Sequence, residues 1–114
     1  MHELSIMSYM LEVVEEQAQA VGASKVLAIN LVIGERSSII DDSLLFYFDM
    51  LTPGTRAEGA RINIRRTRMR FHCDPCDDDY SPTGADFRCP HCGTVGRVTA
   101  DGSELLIESI EVET

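Results

Sequence analysis

From Glu3 to Val21 the apolar residues Leu4, Met7, Leu11, Val14, Ala18 and Val21 recur at alternating intervals of three and four, which predicts one apolar stripe along a helix. Glu12, Glu15, Glu16 and Gln19 fill the opposite face, and Gly22 stands where a left-handed C-terminal cap would end the helix. Val26 to Ile33 alternates as a strand, with Leu27, Ile29, Leu31 and Ile33 on a wholly apolar face and Val26, Ala28, Asn30 and Val32 on a mixed one. A second helix is expected with Asp41 or Asp42 as its cap. Leu44, Leu45, Phe48 and Leu51 would share its inner face, and Thr52-Pro53-Gly54 would end it.

Arg61 to Phe71 reads as one long twisted strand. Its apolar positions change parity between Ile62, Ile64 and Met69, Phe71, which predicts a bulge near Arg66 and Thr67. Leu105 to Val112 is the last strand and must pair with earlier ones to satisfy its backbone. Between them lies a segment rich in Asp, Pro and Gly, with too few large apolar side chains for a core of its own. The expected fold is therefore α+β: a small three-stranded sheet packed with two helices, made by 1–70 and 102–114, and interrupted by an inserted module over 71–101.

A length of 114 residues suits one ordinary domain with a small insertion, and 44% hydrophobic with 25% charged residues is a globular balance. The net charge of −9 argues against nucleic acid and anionic membrane as partners. Half of the ten cations, Arg61, Arg65, Arg66, Arg68 and Arg70, fall on the second expected strand, but on both of its faces. Pairing with the abundant acids is the reading they favour. No basic residue precedes Lys25, so no secretory signal is expected, and no apolar run approaches the roughly 18 residues of a membrane span. A cytoplasmic location, with reduced cysteines, is the expectation.

Cys73-Asp74-Pro75-Cys76 and Cys89-Pro90-His91-Cys92 are two Cys-x-x-C turns twelve residues apart, able to aim four thiolates at one tetrahedral ion. Four sulfurs with no open position suit structural Zn(II), a zinc ribbon that folds on its metal. Rubredoxin-like iron shares the ligand set, and a disulfide pair is the remaining alternative. His72 and His91 neighbour these cysteines and read as exposed or supporting imidazoles, and Asp77-Asp78-Asp79 reads as a solvated turn.

Met1-His2-Glu3 is the other candidate site. A histidine in second place is too large for removal of the initiator, so Met1 is expected to keep its free α-amine. That amine, the backbone amide nitrogens of His2 and Glu3, and the His2 imidazole can wrap one ion in a plane, as Ni(II) or Cu(II) prefers. A merely solvated terminal histidine is the competing reading. No P-loop or hydrolase motif is present, so the chain is not expected to be an enzyme.

Met1-His2-Glu3-Leu4-Ser5-Ile6, the acidic first helix, Leu31-Val32-Ile33-Gly34-Glu35, the paired Cys-x-x-C turns and Ser109-Ile110-Glu111-Val112 together resemble the HypA family of nickel metallochaperones for maturation of nickel–iron hydrogenase. The resemblance covers essentially the whole chain. It implies a nickel domain interrupted by a zinc domain, Ni(II) carried as transient cargo at His2 and the terminal groups, and Zn(II) held by Cys73, Cys76, Cys89 and Cys92. As partners it implies the maturation GTPase HypB and the hydrogenase large subunit or its maturation complex. Some relatives place histidines after each Cys-x-x-C and couple zinc geometry to pH, whereas His72 and His91 precede or sit inside these turns. The alternative function is a zinc-ribbon adaptor or regulator whose Met-His-Glu start carries no nickel.

Overall fold

The computed structural model describes residues 2–114. The elements run α1 (Glu3–Ala20), β1 (Lys25–Gly34), α2 (Asp41–Leu51), β2 (Arg61–Thr67), β3 (Arg70–Cys73), β4 (Asp78–Tyr80), β5 (Arg97–Ala100) and β6 (Leu105–Glu113). They form two three-stranded sheets, ordered β2-β1-β6 and β4-β3-β5. The α+β expectation of two helices with a three-stranded sheet holds, and the interrupting segment contributes the second sheet. The chain separates into two compact units: Met1–Leu31, Ser38–Arg65 and Leu106–Thr114 form one, Val32–Ser37 and Arg66–Leu105 the other.

In the first unit α1 packs against α2. Met7, Val14 and Ala18 of α1, Leu44 and Phe48 of α2, and Val26, Ala28, Ile29 and Leu31 of β1 are buried. The C-terminus of α1 is closed by a Schellman motif. Gly22 takes φ 69°, its N–H donates to the Gln19 carbonyl at 3.1 Å, and the Ala23 N–H donates to the Ala18 carbonyl at 2.9 Å. Arg56 ties the turn after α2 back to α1. Its guanidinium pairs with Glu15 and donates through Nε to the Ala23 carbonyl at 3.0 Å, while its own carbonyl accepts from the Val26 N–H at 2.9 Å.

Several expectations are corrected here. The buried stripe of α1 runs through Glu3, Met7, Met10, Val14 and Ala18, while Leu4 is 41% and Val21 60% exposed. Residues 3 and 10 lie on one flank of the 7-14-18 line and residues 4 and 11 on the other, so the packing partner decides which flank is covered. In β1 the mixed face is buried from its start at Val26 and Ala28, and Leu27 is exposed. The N-cap of α2 is Ile40, with no side-chain capping bond. Asp41 and Asp42 instead occupy the first turn, where a negative charge meets the positive end of the helix dipole. Leu45 lies outside the buried face. Arg61 to Phe71 is two strands in different sheets, parted at Arg68 and Met69. The change of parity marked a change of sheet.

In the second unit β3 is the central strand, antiparallel to both neighbours. Phe71 pairs with Tyr80 on β4 and with Val98 on β5, where a bulge follows the Arg70–Ala100 pair. Phe71 is 3% exposed, its ring stacked on Tyr80 at 5.4 Å and on Phe87 at 5.5 Å. The segment expected to lack a core therefore has a small aromatic one. The Tyr80 hydroxyl donates to the Phe87 carbonyl at 2.7 Å and accepts from the Gly96 N–H at 2.9 Å, which ties the loop to the sheet. At the base of this unit the Glu35 carboxylate accepts from the Met69 N–H at 2.6 Å, and Glu104 accepts from the Thr67 hydroxyl at 2.9 Å.

Candidate metal centre

Cys73 ends β3 and Cys76 lies in the turn that carries the chain into β4. Asp77 takes the left-handed conformation in that turn, and its N–H donates to the Asp74 carbonyl at 3.2 Å. The second Cys-x-x-C folds the same way for its own reason. Gly93, at φ 78°, turns its N–H to the Cys89 carbonyl at 2.9 Å, and the Cys89 N–H donates to the Thr94 carbonyl at 2.8 Å. The His91 N–H points at the Cys89 sulfur at 3.4 Å.

All four Sγ atoms lie within 4.8 Å of one another, with Cys73 and Cys89 buried and Cys76 and Cys92 exposed. Sulfurs about 2.3 Å from a tetrahedral ion stand about 3.8 Å apart, so the cluster fits such an ion with small adjustment. Its electrostatics agree. The hydroxyl and amide of Thr94 hydrogen-bond to Cys92 and, with the neighbouring sulfurs, bring that thiol down to about 6. Hydrogen bonding with Cys92 and Cys73 pushes the Cys76 thiol up to about 12. One sulfur becomes anionic at the expense of another; a divalent cation would remove that competition. An all-sulfur, closed set of this kind can hold a metal such as zinc and leaves no position for a substrate.

Neither histidine joins the cluster. His72 is half-buried, with Nδ1 2.7 Å from Asp79 Oδ1 and Nε2 3.5 Å from Asp77 and 3.6 Å from Asp74. The His72 ring holds the Asp79 carboxyl below its usual range, with the nearby Arg70 adding to the effect. His91 is exposed. Sequence reasoning gave no role to Thr94 and read Asp79 only as part of a solvated turn, whereas Asp78 and Asp79 lie in β4 and Asp79 meets the His72 ring; neither residue signals its role until the fold sets it beside a sulfur or an imidazole. Several arginines of β2, β3 and the link between them meet acids: Arg65 meets Glu108 at 2.6 Å, Arg70 meets Asp79 at 3.5 Å, and Arg68 lies 4.0 Å from Glu35.

At the other candidate site His2 is exposed and serves as the N-cap of α1, with φ −105° and ψ 63°. Its carbonyl accepts the first helical hydrogen bond, from the Ile6 N–H at 3.0 Å. The N–H groups of His2 and Glu3 precede that first donor and have no acceptor within the helix. The Glu3 side chain is buried. Met1, whose amine completes the expected nickel set, lies outside the described residues.

Residues 1–112 match the family described as hydrogenase/urease nickel incorporation, metallochaperone, HypA. The chain is 39% identical over 114 residues to the hydrogenase maturation factor HypA of Roseiflexus sp. (strain RS-1), covering 99% of this chain and 93% of that protein. It is 40% identical over 114 residues to the HypA of Caldanaerobacter subterraneus subsp. tengcongensis, covering 99% of this chain and all of the other. The solution structure of the Ni metallochaperone HypA from Helicobacter pylori shares the fold, with a TM-score of 0.66 at 24% identity over 99% of this chain and 98% of that one. On this agreement along its full length, the chain belongs to the HypA family, a family of metallochaperones and not of enzymes.

Proposed function

We propose that this chain carries Ni(II) at its N-terminus and delivers it for the maturation of nickel–iron hydrogenase, while Zn(II) on Cys73, Cys76, Cys89 and Cys92 serves as scaffold. The observation that carries the nickel reading is the placement of His2: an exposed imidazole on a helix cap whose own amide and the next are free of helical bonds. Amide nitrogens become nickel ligands only by losing their protons, and amides already committed to a helix would resist this. In this reading residues 1–70 and 102–114 carry the nickel and 71–101 the zinc. The chain works in the cytoplasm; among the described residues no helix is long and apolar enough to cross a membrane. It has no nucleotide-binding motif, so energy-driven release falls to a partner, the GTPase HypB, on the way to the hydrogenase large subunit or its maturation complex.

Calorimetric titration of Ni(II) into the untagged chain, a form with a residual N-terminal tag, His2→Ala and Glu3→Gln tests this. Tight one-to-one binding is expected in the untagged chain and in Glu3→Gln, since Glu3 contributes its backbone nitrogen, and is lost in the other two. Undiminished affinity in His2→Ala would end the proposal.

A further inference from the structure

Beside α1 runs an open groove of about 600 Å³ lined by Ser8, Leu11, Glu12, Glu15, Glu16 and Leu51. A second hollow of about 300 Å³ adjoins it through Leu11, Glu15 and Leu51 and reaches Val14 and Ala57. Both lie within the first unit. Because the buried stripe of α1 runs through Met10, Leu11 is left half-buried among the residues lining the groove, as is Leu51 of α2. Apolar side chains are thus left over on a surface the chain's own core does not use.

The rim is acidic in an unbalanced way. Glu15 is neutralised by Arg56, but Glu12 and Glu16 are exposed and make no ion pair among the described residues. They stand four residues apart, where like charges on a helix repel and destabilise it. A cation seated between them would relieve that repulsion. A second copy of the chain is a poor occupant, since each copy carries a net charge of −9 and the same acidic rim.

We propose that this groove docks a cationic amphipathic helix of the protein that receives the cargo. The apolar anchors of that helix lie on Leu11 and Leu51, and its lysine or arginine side chains meet Glu12 and Glu16. This rests on the delivery reading above, but it concerns the partner's chemistry and does not involve the nickel ligands.

The test uses the zinc-loaded full chain, free of nickel, with two synthetic 18-residue helical peptides as probes. Both carry leucines at i, i+4 and i+7; one has lysines beside them and the other glutamates. Followed by amide NMR shifts, the lysine peptide should perturb Ser8 to Glu16 and Leu51 to Ala57 and bind about tenfold tighter than the glutamate peptide, with the preference reversed in the doubly substituted Glu12→Lys, Glu16→Lys chain. Absence of binding, equal binding of the two peptides, shifts confined to other surfaces, or concentration-dependent shifts of the same residues without peptide, which mark a second copy in the groove, would each overturn it. Nickel titration of the charge-reversed chain separates the two readings. Unchanged nickel affinity with lost peptide preference is the expected pair of results, whereas loss of nickel binding in the wild type would strike the delivery reading instead.

Discussion

Thr94 shows how a single residue can bear on the charge of a sulfur cluster. Its hydroxyl and amide both reach Cys92 and favour the thiolate, the form a metal ion binds. Thr94→Val keeps the amide and the shape while removing the hydroxyl. Zinc affinity, measured by competition with a chelator, should fall about tenfold, at the low end for loss of a group that supports a ligand. An unchanged affinity would show that the amide alone suffices. The four cysteines were legible in the sequence because two Cys-x-x-C turns have few uses other than gathering sulfur. The proposal for His2 draws in the sequence only on its neighbours Met1 and Glu3. Thr94 and Asp79 were not, since their roles arise from the turn at Gly93 and from the pairing of β3 with β4.

At the scale of elements, periodicity located both helices and the strands of the first sheet, though it ran β2 on into β3 of the second, and Gly22 marked the Schellman motif that ends α1. It could not decide which flank of α1 is covered. Residues 7, 14 and 18 are common to both possible stripes, and the choice between Leu4 with Leu11 and Glu3 with Met10 belongs to packing. The aromatic core of the second unit was hidden for a related reason. Phe71, Tyr80 and Phe87 are scattered among Asp, Pro and Gly and meet only once β3 and β4 pair and the loop returns. Phe71→Ala should remove about 3–5 kcal/mol of packing. If the module folds on zinc as proposed, that loss appears as zinc affinity lowered by about a hundredfold or more, with the far-ultraviolet signal of α1 and α2 intact.

For the molecule as a whole, the inserted segment and the helical unit should respond differently to loss of metal. The first unit buries a mostly aliphatic core from α1, α2 and β1, whereas the cysteine turns of the second rest on one small aromatic stack and four sulfurs. Cys89→Ala, or stripping zinc with a chelator, should broaden or move amide resonances of residues 71–101 and leave those of α1 and α2 in place. Acid should act in the same direction. Protons compete with the metal for the thiolates, so zinc affinity falls as pH is lowered. Collapse of both units together on zinc removal would mean that the metal organises the whole chain.

The central claim is a division of labour, with nickel held by nitrogen at the chain terminus and zinc by sulfur in the inserted module. X-ray absorption at both metal edges, on the untagged chain loaded with one equivalent of each ion, tests it most directly. Nickel should be surrounded by light nitrogen or oxygen scatterers in a planar array, and zinc by four sulfurs at about 2.3 Å. Sulfur scatterers around the nickel, or nickel displacing zinc from the cysteines, would contradict the account.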